Sequence, residues 1–210
     1  MKNEEKLLDR LDKDLSWRKK ELLFINSLIG EKEENLDVKL RIGLAILYAH
    51  WEGYIKKSSN FYVDFIKGEK LKCNEVNINF LALALRGKLN LITSTNKPSV
   101  HNKIVNFILE SNEKFIKIPT KIKTNSNLNH EVFKEILISL GLDFSRYELK
   151  KNLIDIKLVE KRHEITHGNY ILIGKEEFLK LHTEILSIID SFKEQILQAV
   201  TNKKYLRIST

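Results

Sequence analysis

Residues 176–201 read EEFLKLHTEILSIIDSFKEQILQAVT, and their pattern decides the class of fold. Apolar side chains recur at every third or fourth position, which is the spacing of one face of an α-helix. That face carries Phe178, Leu181, Ile185, Ile188, Phe192, Ile196 and Val200. We therefore predict a long helix here, with this stripe packed in the core.

The same period recurs upstream along the chain. It predicts helices over residues 4–29, 35–68, 101–115, 130–140 and 146–167, the last with Leu149, Leu153, Ile156 and Val159 on its inner side. Residues 75–128 are less regular, so we expect them to be a helical and loop insertion between core helices. Only eight glycines and two prolines are available for tight turns. The prediction is an all-α fold with no significant sheet, formed as a single domain over residues 1–210.

Composition narrows the class of protein. Hydrophobic residues make up 42% of the chain, which excludes a disordered protein. The formal net charge of +8 is compatible with a polyanionic partner, because lysine and arginine displace counterions from phosphates. An AT-rich genome also produces lysine-rich chains, so the charge alone does not establish nucleic-acid binding. The single cysteine, Cys73, excludes an internal disulfide and a cysteine-based zinc site.

The amino terminus, Met-Lys-Asn-Glu-Glu-Lys, leads into an amphipathic pattern without the apolar core of a signal peptide. No run of the chain approaches the roughly 18 apolar residues of a membrane span. We therefore expect a soluble, cytoplasmic protein with no membrane partner.

Two incompatible motifs overlap in residues 161–168, KRHEITHG. The first, HEITH from His163 to His167, matches the zinc-peptidase pattern, in which two histidines bind the metal and the glutamate is the base. A catalytic zinc needs a third protein ligand, and only His182 and Glu184 are available nearby. Chance matches to so short a pattern are common, so we predict no metal and no cofactor.

The second motif is Arg162 followed, after four residues, by His167. Five helical positions separate the two side chains by about 140°, so they splay apart unless the last turn unwinds at Gly168. In an unwound turn both side chains would reach one phosphate. On spacing alone, such a pair is more often solvated and simply favourable to the helix dipole.

Arginine and histidine suit metal-independent cleavage of RNA. A base deprotonates the 2′-hydroxyl, that oxygen attacks the adjacent phosphorus, and a cation stabilises the phosphate oxygens. Histidine titrates near neutral pH, and arginine is a fixed donor fork for phosphate.

The Arg-x4-His spacing followed by glycine resembles the signature of the HEPN superfamily. Further segments resemble its prokaryotic branch of HEPN-like nucleases, of the MAE type. These segments are WRKKEL at residues 17–22, LYAHWEGYIK at residues 47–56, and residues 124–142 with their Asn-Leu-Asn and the start of Leu-Gly-Leu-Asp. The likeness covers most of the chain in the expected order, and it favours the Arg162–His167 motif over the zinc motif.

The resemblance implies an up-and-down HEPN helical bundle and a homodimer in which the motifs of both copies form one RNA-binding cleft. It also implies a toxin or phage-defence endoribonuclease, often restrained or directed by the product of a neighbouring gene. Arg162 would bind or orient the scissile phosphate, and His167 would act as acid or base. The branch usually has asparagine after the arginine; this chain has His163 there, a polar side chain that we predict to be a supporting residue.

Polar residues in the second helix are candidate supports for this site. A carboxylate near a core is costly without a partner, so we predict that Glu52 pairs with Arg162 and holds its guanidinium. Trp51 is expected to be a core residue. His50 is either a further support or a buried histidine with satisfied hydrogen bonds.

Several lysines are candidate RNA-binding residues, some of them around Pro119; a solvated face is the alternative for each. They are Lys56, Lys57, Lys117, Lys121, Lys123 and Lys161. The leading hypothesis is thus an endoribonuclease. The alternatives are a catalytically silent HEPN module that binds nucleic acid or protein and, less favoured, a zinc metallopeptidase.

Overall fold

The computed structural model describes residues 3–31, 34–110, 113–118, 121–124 and 126–207. Within these ranges the chain is all-α, and its only β pairing is two isolated bridges. The α-helices are α1 (Asn3–Glu31), α2 (Leu36–Gly68), α3 (Ile78–Thr93), α4 (Pro98–Glu110), α5 (His130–Ser139), α6 (Lys161–Thr166) and α7 (Lys175–Thr201). No helix in the described ranges is both long enough and apolar enough to cross a lipid bilayer.

Helices α1 and α2 form an antiparallel hairpin, and α7 packs against both. The three helices meet at Gly43 of α2. A Cβ built there would lie 3.0 Å from the Phe178 ring and 3.1 Å from the side chains of Ile25 and Ile29. Glycine therefore permits the close approach of these three helices.

The core follows the apolar stripes that the periodicity predicts. The stripe of α7 is buried throughout, with Phe178, Phe192 and Ile196 fully inaccessible. Trp51, predicted as a core residue, is also fully buried. The predicted helices over 4–29, 35–68, 130–140 and 176–201 are confirmed to within a few residues.

The insertion between α2 and α5 is more helical than the sequence pattern indicated. Residues 78–93 form a full helix, α3, and α4 occupies residues 98–110 where the pattern predicted 101–115. Pro98 is the first residue of α4, a position that proline favours because the missing N–H would have no partner in the helix. Phe115 lies outside the helix and forms an isolated bridge with Lys72.

The helix predicted over 146–167 is composite. A 3-10 helix (Ser145–Lys150) leads into a π-helix (Leu153–Glu160), which continues directly into α6. The predicted inner side is wrong at two positions: Leu149 is 97% exposed and Ile156 is 52% exposed. A 3-10 turn rotates each residue further than an α turn and a π turn rotates it less, so an α-helical period no longer marks one face. Tyr147, Ile154 and Leu158 point inwards instead.

Candidate active site

Helix α6 ends in a glycine turn. Gly168 has a φ of 81°, the left-handed conformation that glycine adopts readily. The Asn169 N–H donates to the Glu164 carbonyl at 3.0 Å, and the Gly168 N–H donates to the Ile165 carbonyl at 3.1 Å. These two bonds are the Schellman pattern. The last turn is therefore closed, and the helix does not unwind at Gly168.

The two histidines of the segment lie side by side at this helix end. The ring centroids of His163 and His167 are 4.2 Å apart, and both side chains are exposed. Their four-residue spacing places them on the same face of the helix. His163, predicted as a supporting residue, is thus the immediate neighbour of His167.

Arg162 turns the other way, towards α2. Its guanidinium carbon lies 3.8 Å from the centroid of the Tyr48 ring, a cation–π contact. Its Nη2 donates to the Ser126 carbonyl at 3.1 Å. Its Nε is buried and has no hydrogen-bond partner among the described residues. The plane of the guanidinium is therefore fixed, while part of its donor capacity remains unused.

The Ser126 carbonyl is held in place because its segment runs antiparallel along α2. The Asn60 side chain exchanges two hydrogen bonds with the backbone of Ile122, at 3.0 and 3.2 Å. Near the other end, the Leu128 N–H donates to the Tyr48 hydroxyl at 2.9 Å, and the Trp51 indole donates to the Leu128 carbonyl at 3.0 Å. One surface of α2 thus carries both the aromatic ring beneath Arg162 and the loop beside it.

Glu52 does not occupy the predicted position. Its carboxylate is half-buried and accepts a hydrogen bond from the hydroxyl of Thr124, which is itself fully buried. The predicted pairing with Arg162 is therefore wrong, and Glu52 instead anchors the segment that supplies Ser126. Tyr48, one helical turn earlier on α2, is the residue that holds Arg162. Burial raises the pKa of Tyr48, so its hydroxyl stays protonated.

Sequence reasoning missed Tyr48 although it lies inside the quoted LYAHWEGYIK segment. A tyrosine at helical spacing is normally taken for a core residue, and Tyr48 is indeed 96% buried, with an exposure of 4%. The sequence did contain a signal for Tyr48. It lies four residues before Glu52, so it shares the face of α2 that was predicted to contact Arg162.

His50 lies about 200° around α2 from Tyr48 and faces α1, so it does not support Arg162. Its Nδ1 is 3.3 Å from the Arg18 guanidinium, and its Nε2 is 3.1 Å from the Glu21 carboxylate. Arg18 in turn donates to Asp14 at 2.8 Å. His50 is a buried histidine with satisfied hydrogen bonds, the second of the two alternatives that the sequence left open.

The candidate RNA-binding lysines divide into two groups. Two are occupied by carboxylates: Lys57 donates to Asp14 at 2.9 Å, and Lys161 donates to Glu177 at 2.8 Å. The others are exposed and have no ion-pair partner among the described residues; they are Lys56, Lys117, Lys121 and Lys123. Buried isoleucines lie next to the latter three: Ile116 and Ile118 flank Lys117, and Ile122 separates Lys121 from Lys123. Pro119 lies outside the described residues.

The residues of the zinc motif find no third ligand. His182 is buried with its Nε2 3.2 Å from the Leu22 carbonyl, and Glu184 accepts from Lys150 at 2.6 Å. The Glu164 carboxylate accepts from the Asn169 side chain at 2.7 Å. Across the described ranges, no group of three histidine, cysteine or carboxylate side chains could hold a metal ion.

Comparison with known families agrees with this architecture. The family model described as RiboL-PSP-HEPN matches residues 13–198. The chain belongs to the HEPN family. The match contains every element of the candidate site, from Tyr48 to His167, and the superfamily predicted from the motifs is confirmed. The finer, MAE-type resemblance stays a prediction. No curated protein and no solved structure matches this HEPN protein.

We predict that the buried cluster around His50 makes the stability of the fold depend on pH. Burial lowers the pKa of His50 below its usual value in the folded protein, and burial does the same to the pKa of His182. As the pH drops below about 6.5, these histidines therefore bind protons in the unfolded chain before they do so in the folded chain. The contribution of these histidines to the free energy of unfolding should be constant above this pH, fall as the pH drops towards their lower, folded-state pKa, and level off below it.

Urea denaturation of the wild type and of His50→Gln between pH 7.5 and pH 5 measures this effect. The variant should lose stability less steeply than the wild type, with the remaining slope owed largely to His182. Identical slopes for the two proteins would contradict the assignment of the effect to His50.

Proposed function

We propose that this HEPN protein is a metal-independent endoribonuclease, with Arg162 and His167 as its catalytic pair. The observation that carries the proposal is the geometry of the helix end. A guanidinium is fixed on the Tyr48 ring, and two exposed imidazoles lie at the closing turn of α6. Because that turn is closed, Arg162 and His167 of one copy point apart, so we propose that the arginine and the histidine acting on one phosphate meet across a dimer. Family membership indicates a nuclease or nucleotide-binding role, and these residue types favour the nuclease.

Arg162 is suited to bind a phosphate. Its stacking on Tyr48 and its bond to Ser126 determine the direction in which its remaining N–H groups point. The Nε is closed to solvent, so a phosphate would bind this guanidinium through its Nη groups. Charge-assisted bonds from a fixed guanidinium would stabilise the phosphate oxygens as the phosphorus becomes five-coordinate.

His167 is suited to move the protons of the reaction. As a base it removes the proton from the 2′-hydroxyl, whose oxygen attacks the adjacent phosphorus. The bond from phosphorus to the 5′-oxygen breaks, and that oxygen takes up a proton, which leaves a 2′,3′-cyclic phosphate and a 5′-hydroxyl. His163 supports this step, because its ring contact limits the orientations open to the His167 imidazole.

The exposed lysines extend this site along α2. Lys56 follows Glu52 by one helical turn, and Lys121 and Lys123 flank Ile122, which is hydrogen-bonded to α2 through Asn60. These three lysines therefore belong to the stretch of α2 between Tyr48 and Asn60 and to the segment bonded to it. Arg162 contacts the Tyr48 end of this stretch. We propose that these three lysines, together with Lys117, attract the RNA backbone.

We also propose that the active form is a homodimer, as the HEPN resemblance implies. The outer surface of the α1–α2 hairpin carries exposed apolar residues at helical spacing where a lone surface helix would carry polar ones. They are Trp17, Phe24 and Leu28 on α1 and Val38 and Ile42 on α2. The Trp17 ring lies 5.2 Å from His50, so this stripe borders α2. We propose that a second copy packs on this stripe, with both copies contributing the same surface.

The biological setting follows from the resemblance alone. We propose a toxin or phage-defence effector of the cytoplasm that is restrained or directed by the product of a neighbouring gene. A basic nuclease site with exposed imidazoles requires such control, because RNA is abundant in the cell.

The catalytic assignment predicts the behaviour of two variants. Arg162→Ala and His167→Ala should each lower the rate of RNA cleavage by about 10²–10³-fold, because each removes one stabilising or proton-transfer group. The assay is cleavage of a labelled single-stranded RNA in excess EDTA, with product ends identified as cyclic phosphate and 5′-hydroxyl.

Lys150→Ala is the matched control, since it removes a cation that pairs with Glu184 away from the site. Cleavage by the wild type that EDTA abolishes, together with stoichiometric zinc in the protein, would overturn the metal-independent mechanism. RNA binding without cleavage by any form would favour the catalytically silent module.

Tyr48 should act as the positioning residue of Arg162. Tyr48→Phe retains the ring beneath the guanidinium but removes the acceptor for the Leu128 N–H, so it should cost about 1 kcal/mol of stability and leave most of the cleavage rate. Tyr48→Leu removes the cation–π contact and should lower the rate roughly 10-fold. Cleavage rates at saturating RNA, read beside thermal unfolding, separate the two effects. Equal rates for the Phe and Leu variants would contradict a role for the ring.

The proposed dimer can be tested at Ile42, which is 52% exposed in the apolar stripe. Ile42→Glu should convert the dimer to monomer in sedimentation velocity and lower cleavage, since a buried unpaired carboxylate is costly. Leu149→Glu is the control, because Leu149 is 97% exposed on the 3-10 helix outside the stripe. A monomeric wild type with full activity would refute the composite site.

A further inference from the structure

The connector between α6 and α7 presents two apolar side chains to solvent. Residues 169–174 form neither helix nor strand, and more exposed and less exposed side chains alternate from Tyr170 to Ile173. Ile173 is buried and Ile171 packs partly against the core, whereas Tyr170 is 68% exposed and Leu172 is 76% exposed. Tyr170 follows the proposed catalytic His167 by three residues.

One face of the Tyr170 ring is backed by an arginine. The guanidinium carbon of Arg41 lies 4.6 Å from the ring centroid. Arg41 is itself tied to Asp37, one turn earlier on α2, by an ion pair of 3.4 Å. The stack Asp37–Arg41–Tyr170 therefore holds the aromatic ring in one orientation, and the ring remains largely open to solvent.

This stack lies beside the one that holds Arg162. Arg41 and Tyr48 are seven residues apart on α2, which is two turns on the same face and about 10 Å along the helix axis. Arg41 pairs with Tyr170, which follows α6, and Tyr48 pairs with Arg162, which lies within α6. The same face of α2 thus supports a fixed guanidinium and, two turns away, a fixed aromatic ring.

We propose that Tyr170 is a stacking platform for an unpaired nucleobase of the RNA strand held at Arg162 and His167, an inference that rests on the proposed function. Proteins that bind single-stranded RNA stack splayed-out bases on aromatic side chains. Such stacking tolerates every base, because each base has a π-face. The platform therefore selects single strands over duplexes without reading a sequence.

Arg41 supports the Tyr170 ring and is not itself a binding site for the RNA backbone. The Arg41 Nη1 is buried without a hydrogen bond and lies 3.4 Å from the Asp37 carboxylate, so a phosphate does not reach this nitrogen. Its role is to orient the ring through its flat face. Affinity gained at this position should accordingly depend on the aromatic ring at residue 170 more than on salt concentration.

The test is fluorescence anisotropy with a labelled, single-stranded 2′-O-methyl oligonucleotide, which has no 2′-hydroxyl and is not cleaved. Tyr170→Ala should weaken binding roughly 10-fold, while Tyr170→Phe and Tyr170→Trp retain it. Leu172→Ala is the matched control, because it removes an equally exposed apolar side chain from the same side of the connector. A fully paired hairpin of similar length should bind Tyr170→Ala and wild type equally.

Unchanged binding by Tyr170→Ala overturns the inference. If Leu172→Ala weakens binding as much as Tyr170→Ala, or if both variants dissociate a dimer in sedimentation velocity, the surface is a protein interface and the inference also fails. The proposed function fails separately: it is contradicted when the wild type neither binds the oligonucleotide nor cleaves the matching RNA.

Discussion

The candidate site depends on the requirement that buried backbone groups be hydrogen-bonded. Leu128 is fully buried, so its N–H and its carbonyl need partners, and two aromatic side chains of α2 supply them. Tyr48 accepts from the N–H and Trp51 donates to the carbonyl. The segment before Leu128 is thereby fixed against α2, and with it the Ser126 carbonyl that receives Arg162. Tyr48 serves twice, through its hydroxyl to the segment and through its ring face to the guanidinium.

The path of the chain into Arg162 depends on a change of helix type. The π-helix Leu153–Glu160 ends at the residue before α6, and π-helical turns occur frequently at functional sites. The change shifts the angular position of every residue that follows. Arg162 reaches Tyr48 from α6, while the His163 and His167 rings remain in solvent at the same helix end. The helix type thus determines which side chain is anchored and which is exposed.

Periodicity alone was enough to predict the long helices, because their apolar stripes are buried at the α-helical spacing over many turns. The same method failed at Leu149 and Ile156, since the type of backbone hydrogen bonding is not visible in an apolar pattern. At the site, resemblance to a family supplied Arg162 and His167, but not their surroundings. Glu52 was assigned to Arg162 on its charge, whereas the available partner was an aromatic ring one turn away. His50 is only two residues from Tyr48 in the sequence, but it lies on the opposite side of α2 from Tyr48 and Arg162.

Gly168, which closes α6, limits which residues the turn can accept. A Cβ built on it meets no atom within 4 Å, so a larger side chain would have room. The constraint is the sign of its φ, +81°, at the turn that closes α6 beside His167. What position 168 requires is therefore handedness and not small size: a residue of D configuration would satisfy the backbone there, and an ordinary L residue strains it. The turn that ends α6 beside the exposed imidazoles thus depends on the backbone handedness at residue 168. It does not depend on the space around that residue.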